Sequence, residues 1–280
     1  HNPNSIPLQM FISQILSTSF SILLQNFNQT TIESIKNQSL DQSQIEIILL
    51  TPQKIENLEL SQIVADCPQN SLKCRKLLLE NAKNDFSIFL DSSDLLEVDL
   101  LQKLSQVLEN KSFDVLHFKQ RILEGGELVE TTANSPLVFT PQPREWLQEF
   151  FFLTKDLTAK VFSTSKLQQL LSQSPFSGEE LQNVNCDQLL VASLFQQFDS
   201  YQGLNTVGLQ HYKSVQPSTA DIILQLNHIQ KLQKNWASSM MNQIVLELME
   251  SDLVNGCRLW KLAEWEDEEE KAVFEANLKC

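Results

Sequence analysis

Two aspartates, Asp91 and Asp94, follow an apolar segment at 85–90 that its pattern predicts to be a buried strand. In open α/β sheets, ligands bind beyond the carboxyl ends of the strands, so both carboxylates lie where a ligand could meet them. A structural interpretation stays open, because an Asp in such a position often caps the following helix, and a helix is predicted from about residue 98. The pair marks the first candidate site.

The other residues capable of chemistry give weaker indications. His117 and His211 lie on predicted strands, where we expect structural histidines rather than ligands. Cys186 has no recognisable base near it in sequence, so we do not expect a nucleophile. The five cysteines form no C-x-x-C pair, zinc spacing or disulfide framework, which predicts a reducing compartment and a cytoplasmic protein.

The composition is that of a globular protein and excludes several classes of function. Of the 280 residues, 42% are hydrophobic and 20% charged, which is enough to build a core. The net charge of −14 and the dispersed Lys and Arg residues argue against nucleic-acid binding. Only 6 glycines are present, so there are few places for a phosphate-binding loop. No apolar run reaches the ~18–20 residues of a membrane span.

Strands and helices alternate in the first half of the chain. Apolar runs at 20–24 and 45–50 predict two strands, with a short helix between them that Thr30 and Thr31 could cap. Further along, helices are predicted at 72–82 and 98–108 and strands at 85–90 and 114–118, with a hairpin turn at Gly125-Gly126. This rhythm is typical of βαβ units and a largely parallel sheet, so the predicted fold class is α/β.

The second half is less regular and ends in predicted helices. Helical patterns occur at 166–171 and 188–198, and apolar residues recur at three or four positions from Ser218 onward. We expect these last helices to pack on the domain. Two alternatives stay open: the helices could form a homodimer or contact a protein partner, or they could touch a membrane surface.

Taken in order, these segments resemble the family 2 glycosyltransferases of the GT-A fold over about residues 20–213. The most specific element is the strand end Phe89-Leu-Asp-Ser-Ser-Asp94, which is similar to the family's Phe-Leu-Asp-Ser-Asp-Asp. The other matching elements are Asn26-Phe-Asn28, the helix at 32–40, Arg75 with Leu79-Glu-Asn-Ala82, Ala159-Lys-Val-Phe162, Cys186-Asp187 and His211-Tyr-Lys213.

The resemblance implies a Rossmann-like, mainly parallel sheet flanked by helices. It implies a nucleotide-sugar-binding half at 1–125, an acceptor-binding half at 126–216 and a C-terminal helical extension at 217–280. The donor would be a UDP- or GDP-sugar, the acceptor a glycan, lipid or protein, and the transfer would proceed with inversion.

The resemblance also implies roles for individual residues. Asp91 would contact the donor or a Mg²⁺ or Mn²⁺ ion, and Asp94 would assist at that metal. Arg75 and Lys213 would bind the donor, and Asp187 would be the general base. An N-cap role for Asp187 stays open, because a helix is predicted to begin at the next residue.

The sequence departs from the family pattern at three places in the expected donor site. The second strand ends in Leu-Leu-Thr51-Pro52, where the family has a carboxylate that reads the nucleobase. Ser93 stands where the family has its direct metal ligand, and a hydroxyl binds a hard cation less well than a carboxylate does. Small residues of the family's donor helix are replaced near Asn70, Leu72, Lys76 and Leu78.

These departures leave two main interpretations. The protein is an active glycosyltransferase, in which Asp94 replaces the lost ligand or no metal is used, or it is a non-catalytic GT-A domain that binds carbohydrate or a partner. An unrelated α/β protein is the third. A cleft at Asp91 filled by Leu50, Leu72 and Leu78 would indicate a protein that is not an enzyme.

Overall fold

A computed structural model describes residues 18–67, 71–110, 113–124, 127–131, 157–172, 187, 190–191 and 198–212. These residues contain a mixed sheet and four helices longer than one turn. The strands are β1 (Phe20–Gln25), β2 (Ile45–Thr51), β3 (Ser61–Val64), β4 (Phe86–Leu90), β5 (Leu95–Leu96), β6 (Val115–Glu124), β7 (Glu127–Thr131), β8 (Lys160–Ser163) and β9 (Tyr201–Tyr212). The helices are α1 (Gln29–Lys36), α2 (Leu72–Glu80), α3 (Leu100–Asn110) and α4 (Thr164–Ser172).

The sheet order is β3-β2-β1-β4-β8-β6-β9-β5, with β7 paired to β6. Strands β1 to β4 are parallel to one another, and β6 and β9 are also a parallel pair. Because β8 is antiparallel to both β4 and β6, all six of these strands run in one direction. Their carboxyl ends therefore meet at one edge of the sheet, which is the edge where α/β folds bind ligands.

Each face of the sheet is covered by helices and buries its own apolar cluster. One cluster packs α2 and α4 against residues such as Leu23, Ile48 and Phe89. The other packs α1 and α3 against residues such as Ile22 and Leu49. Successive residues of a strand point to opposite faces of the sheet. A strand that is covered on both faces therefore has a continuous run of apolar residues in its sequence. This arrangement explains the runs at 20–24 and 45–50.

The predicted α/β class is confirmed. The two apolar runs form β1 and β2, and segment 85–90 contains β4. Strands β6 and β7 pair antiparallel with Glu124 opposite Glu127, and the turn predicted at Gly125-Gly126 lies outside the described residues. Helix α1 is capped by Asn28 rather than by Thr30 or Thr31. The predicted helices from residue 218 onward and the C-terminal extension lie outside the described residues, as does most of the predicted helix 188–198.

Candidate functional site

The turn after β4 brings Asp91 and Asp94 together at the carboxyl edge of the sheet. The backbone N–H of Asp91 donates to Asp94 Oδ2 at 2.9 Å, and the N–H of Asp94 donates to the carbonyl of Asp91 at 3.0 Å. Thr31 of α1 anchors the turn by donating to the Ser92 carbonyl at 2.8 Å. The Asp94 side chain is fully buried, whereas that of Asp91 is 18% exposed. The turn therefore fixes the Asp94 carboxylate and the backbone that carries Asp91.

His211 reaches the same turn from a distant part of the sequence. Strand β9 is held beside the turn by β5, in which Leu95 lies opposite Gln210. This pairing brings His211 Nδ1 to 2.7 Å from Asp94 Oδ1. The interpretation of Asp94 as a helix cap is wrong, because its two oxygens engage His211 and the Asp91 backbone and α3 begins only at Leu100.

Asp91, Asp94 and His211 form a group that could hold a metal ion. One ligand atom from each lies within 4.8 Å of the others. Carboxylate oxygens suit Mg²⁺ and Mn²⁺, and an imidazole nitrogen adds a ligand that suits transition metals. The residues present therefore fit a divalent cation. Sequence reasoning assigned His211 to the framework and missed its place here, because only the long-range pairing of β9 indicates it.

Ser93 lies close to this group without belonging to it. Its hydroxyl donates to the Tyr212 carbonyl at 3.4 Å. This chain has Ser93 where the glycosyltransferase family has its direct metal ligand. The neighbouring imidazole of His211 could supply the third ligand atom instead.

Arg75 joins Asp187 to this site. Its Nε donates to Asp187 Oδ1 at 2.9 Å and its terminal Nη2 to Asp187 Oδ2 at 2.6 Å, the two-pronged geometry typical of strong Arg–carboxylate pairs. The same Nη2 lies 4.0 Å from Asp91 Oδ1, and the guanidinium stacks over the Phe89 ring at 4.9 Å. The Arg75 side chain is only 1% exposed and that of Asp187 13%. Arg75, Asp91 and Asp187 thus lie together, while Lys213 lies outside the described residues.

Leu50 of β2 and two residues of α2, Leu72 and Leu78, lie in the apolar core between that helix and the sheet. All three are at most 1% exposed and pack with Leu23 and Phe89. Thr51, at the end of β2, is 3% exposed, and its hydroxyl donates to the Gln53 carbonyl at 2.8 Å. The three leucines therefore join α2 to the sheet, and the Asp91 side chain is 18% exposed.

The cysteines differ from the sequence prediction. Cys67, which follows β3, forms a disulfide with Cys74 in the first turn of α2, across a sequence separation of 7. The prediction of a chain without disulfides is therefore wrong for this pair. Disulfides persist mainly in oxidising environments, which weakens the basis of the predicted reducing compartment.

A second polar cluster is buried on β6, β8 and β9. His117 Nδ1 lies 2.7 Å from the Tyr201 hydroxyl. Burial lowers the pKa of His117 well below its usual value, and the charge of Lys160 lowers it further. Burial also raises the pKa of Tyr201 well above 10.0. His117 is therefore a neutral, hydrogen-bonded residue of the framework, as predicted.

The architecture is that of a GT-A glycosyltransferase fold. Solved structures that share it include S. aureus TarS 1–349, with a TM-score of 0.65, 16% identity, and coverage of 92% of this chain and 78% of that one. The complex of TarS with UDP-GlcNAc gives 0.64 and 16%, covering 93% and 79%, and the complex with UDP gives 0.58 and 18%, covering 83% and 71%.

Two other comparisons found nothing. No family model and no curated protein matches the sequence.

Within the described residues, no helix combines the length and the apolar character needed to cross a bilayer.

Proposed function

We propose that this protein binds a nucleoside diphosphate sugar together with a divalent cation and transfers the sugar to a glycan, lipid or protein acceptor. The observation that carries the proposal is the meeting of Asp91, Asp94 and His211 at the carboxyl edge of β4 and β9, with one ligand atom of each within 4.8 Å. The likeness to TarS, which was solved with UDP and with UDP-GlcNAc, supports a UDP-sugar as the first donor to test.

The three donor atoms would hold Mn²⁺ or Mg²⁺, and the cation would supply positive charge to stabilise the departing diphosphate. Asp91 and His211 are the residues of this group that face the donor, because their side chains are 18% and 20% exposed whereas that of Asp94 is buried. Lys213, directly after the end of β9, would meet the diphosphate as a further positive charge, and Arg75 would complete the donor site from α2.

Transfer with inversion requires a base opposite the departing diphosphate. The acceptor oxygen would form a bond to the sugar C1 as the bond from C1 to the diphosphate breaks, and the acceptor proton would pass to Asp187. Each Asp187 oxygen accepts a hydrogen bond from Arg75, but a carboxylate oxygen has more than one lone pair, so these two bonds alone do not prevent Asp187 from taking this proton.

That same pairing is the observation that favours the second candidate, a non-catalytic domain that binds a nucleotide sugar or glycan. A carboxylate held at both oxygens by a buried guanidinium is a weak base. In this alternative the Arg75–Asp187 pair is structural, and donor binding occurs without transfer.

Isothermal titration calorimetry with UDP-GlcNAc and a GDP-sugar, each with and without Mn²⁺, tests the proposal. We expect binding that requires Mn²⁺, and an Asp94→Asn variant that weakens it by at least about 10-fold. Asp99→Asn is the matched control, because Asp99 makes a half-exposed ion pair with Lys103 on α3. Absence of heat with every donor in Mn²⁺ would contradict the proposal. Binding without release of UDP in the presence of acceptors would favour the non-catalytic alternative.

A further inference from the structure

We propose that the Cys67–Cys74 disulfide is a redox switch on the candidate site. When intact, it fixes the first turn of α2 and so keeps Arg75 on Asp187; when reduced, it releases that turn and weakens donor binding. The second half of the proposal rests on the proposed function, whereas the first half concerns the helix alone.

The disulfide and the site share one turn of helix. Cys74 directly precedes Arg75, and both residues bond back to Ser71, which caps the helix: the Cys74 N–H donates to Ser71 Oγ at 3.4 Å and the Arg75 N–H to the Ser71 carbonyl at 3.0 Å. Gln25, at the carboxyl end of β1, donates to Cys74 Sγ at 3.2 Å. A displacement of Cys74 would therefore reach both Arg75 and the carboxyl edge of the sheet.

The other end of the disulfide lies on a weakly held part of the fold. Cys67 follows β3, a strand at the edge of the sheet that pairs with β2 through four residues. A hydrogen bond from exposed Lys73 Nζ to the Asp66 carbonyl, at 3.2 Å, also joins this segment to α2. Water competes with such an exposed bond, so the covalent bond is the stronger connection.

Reduction removes the covalent link between the segment after β3 and the first turn of α2. The Arg75–Asp187 hydrogen bonds, at 2.6 and 2.9 Å, depend on close distance and alignment, so added motion of that turn weakens them. Leu72 and Leu78 remain in the apolar core, so the helix as a whole stays in place and the change is local to the polar side of its first turn.

The chemical step is exchange with a dithiol. A thiolate of the reductant attacks Cys67 Sγ, because Cys67 is half-buried whereas Cys74 is fully buried, and the Cys74 sulfur leaves and takes a proton. The second sulfur of the reductant then displaces Cys67. Two electrons and two protons pass to the protein, which gains two thiols, and the dithiol becomes a disulfide.

The test uses the 280-residue chain in its oxidised and dithiothreitol-reduced forms, with the number of thiols verified by mass spectrometry. Hydrogen exchange measures the first turn of α2, and calorimetry measures the affinity for UDP with Mn²⁺. On reduction we expect exchange at residues 72–76 to accelerate at least about 10-fold while β1 and β4 do not change. We expect affinity to fall by at least about 5-fold. Cys67→Ser should reproduce the reduced state and should not respond to dithiothreitol.

The possible outcomes separate the two proposals. Unchanged exchange at residues 72–76 after complete reduction overturns the switch, as does equal acceleration in all strands, which would indicate a general stabilising bond. Faster exchange with unchanged affinity also overturns it. If the oxidised protein binds no UDP, the proposed function fails, and local acceleration at 72–76 then supports only the structural half of the switch.

Discussion

The buried pair of Arg75 and Asp187 gives the sharpest prediction about stability. Replacing Arg75 with Met keeps much of the side-chain volume and removes the charge, which leaves the Asp187 and Asp91 carboxylates facing each other without their shared cation. Two unit charges about 4 Å apart interact by about 4 kcal/mol at an effective dielectric constant of 20. Removing one partner of a buried pair typically costs about 3–5 kcal/mol. We therefore expect Arg75→Met to lower the free energy of unfolding by about 3–5 kcal/mol.

Urea denaturation measures this loss, and the chain offers a matched control. Arg121 pairs with Glu97 at 2.7 Å, but the side chains are 42% and 30% exposed, so Arg121→Met should cost less than about 1 kcal/mol. Arg75→Lys keeps the charge without the two-pronged geometry and should recover part of the loss. Equal losses for Arg75→Met and Arg121→Met would refute the reasoning, because they would mean that water screens both pairs alike.

Three further predictions concern the framework. Because the pKa of His117 is lowered in the folded protein by burial and by Lys160, the unfolded chain binds more protons below its ordinary pKa of 6.5. Stability should therefore fall as the pH falls from 6.5, by up to about 1.4 kcal/mol per pH unit, and His117→Gln should reduce this slope in urea titrations at several pH values. Gly208→Ala would place a methyl group against Leu100 and 2.8 Å from Phe118 Cδ2, so its unfolding midpoint in urea should indicate a loss of about 1–3 kcal/mol. Asn28→Ala removes the acceptor at the start of α1 and should cost about 1 kcal/mol in the same assay.

The strands that sequence patterns predict are those with continuous apolar residues. Strands β1 and β2 are covered on both faces, so nearly every residue is apolar, and the pattern is unambiguous. Strand β3 escaped prediction because Ser61–Val64 is a short edge strand whose four residues are all partly or fully exposed. Strand β5 has two residues, too few for any period.

The site was predictable where it is local and not where it depends on distant contacts. Asp91 and Asp94 are found from their place after a strand, since backbone direction alone puts them at the edge of the sheet. His211 lies 117 residues from Asp94, and only the pairing of β9 with β5 brings the two together. The Cys67–Cys74 bond likewise depends on the path from β3 to α2, which has no signature in the spacing of the cysteines.

The central claim is that Asp91, Asp94 and His211 hold a divalent cation beside the donor. The most direct measurement is an anomalous difference map from crystals grown with Mn²⁺ and UDP. We predict one manganese peak at coordination distance, about 2 Å, from an oxygen of Asp91 or Asp94 and from a nitrogen of His211, with a diphosphate oxygen as a further ligand. Bound UDP with no manganese at these three residues, or manganese only elsewhere on the protein, would contradict the claim.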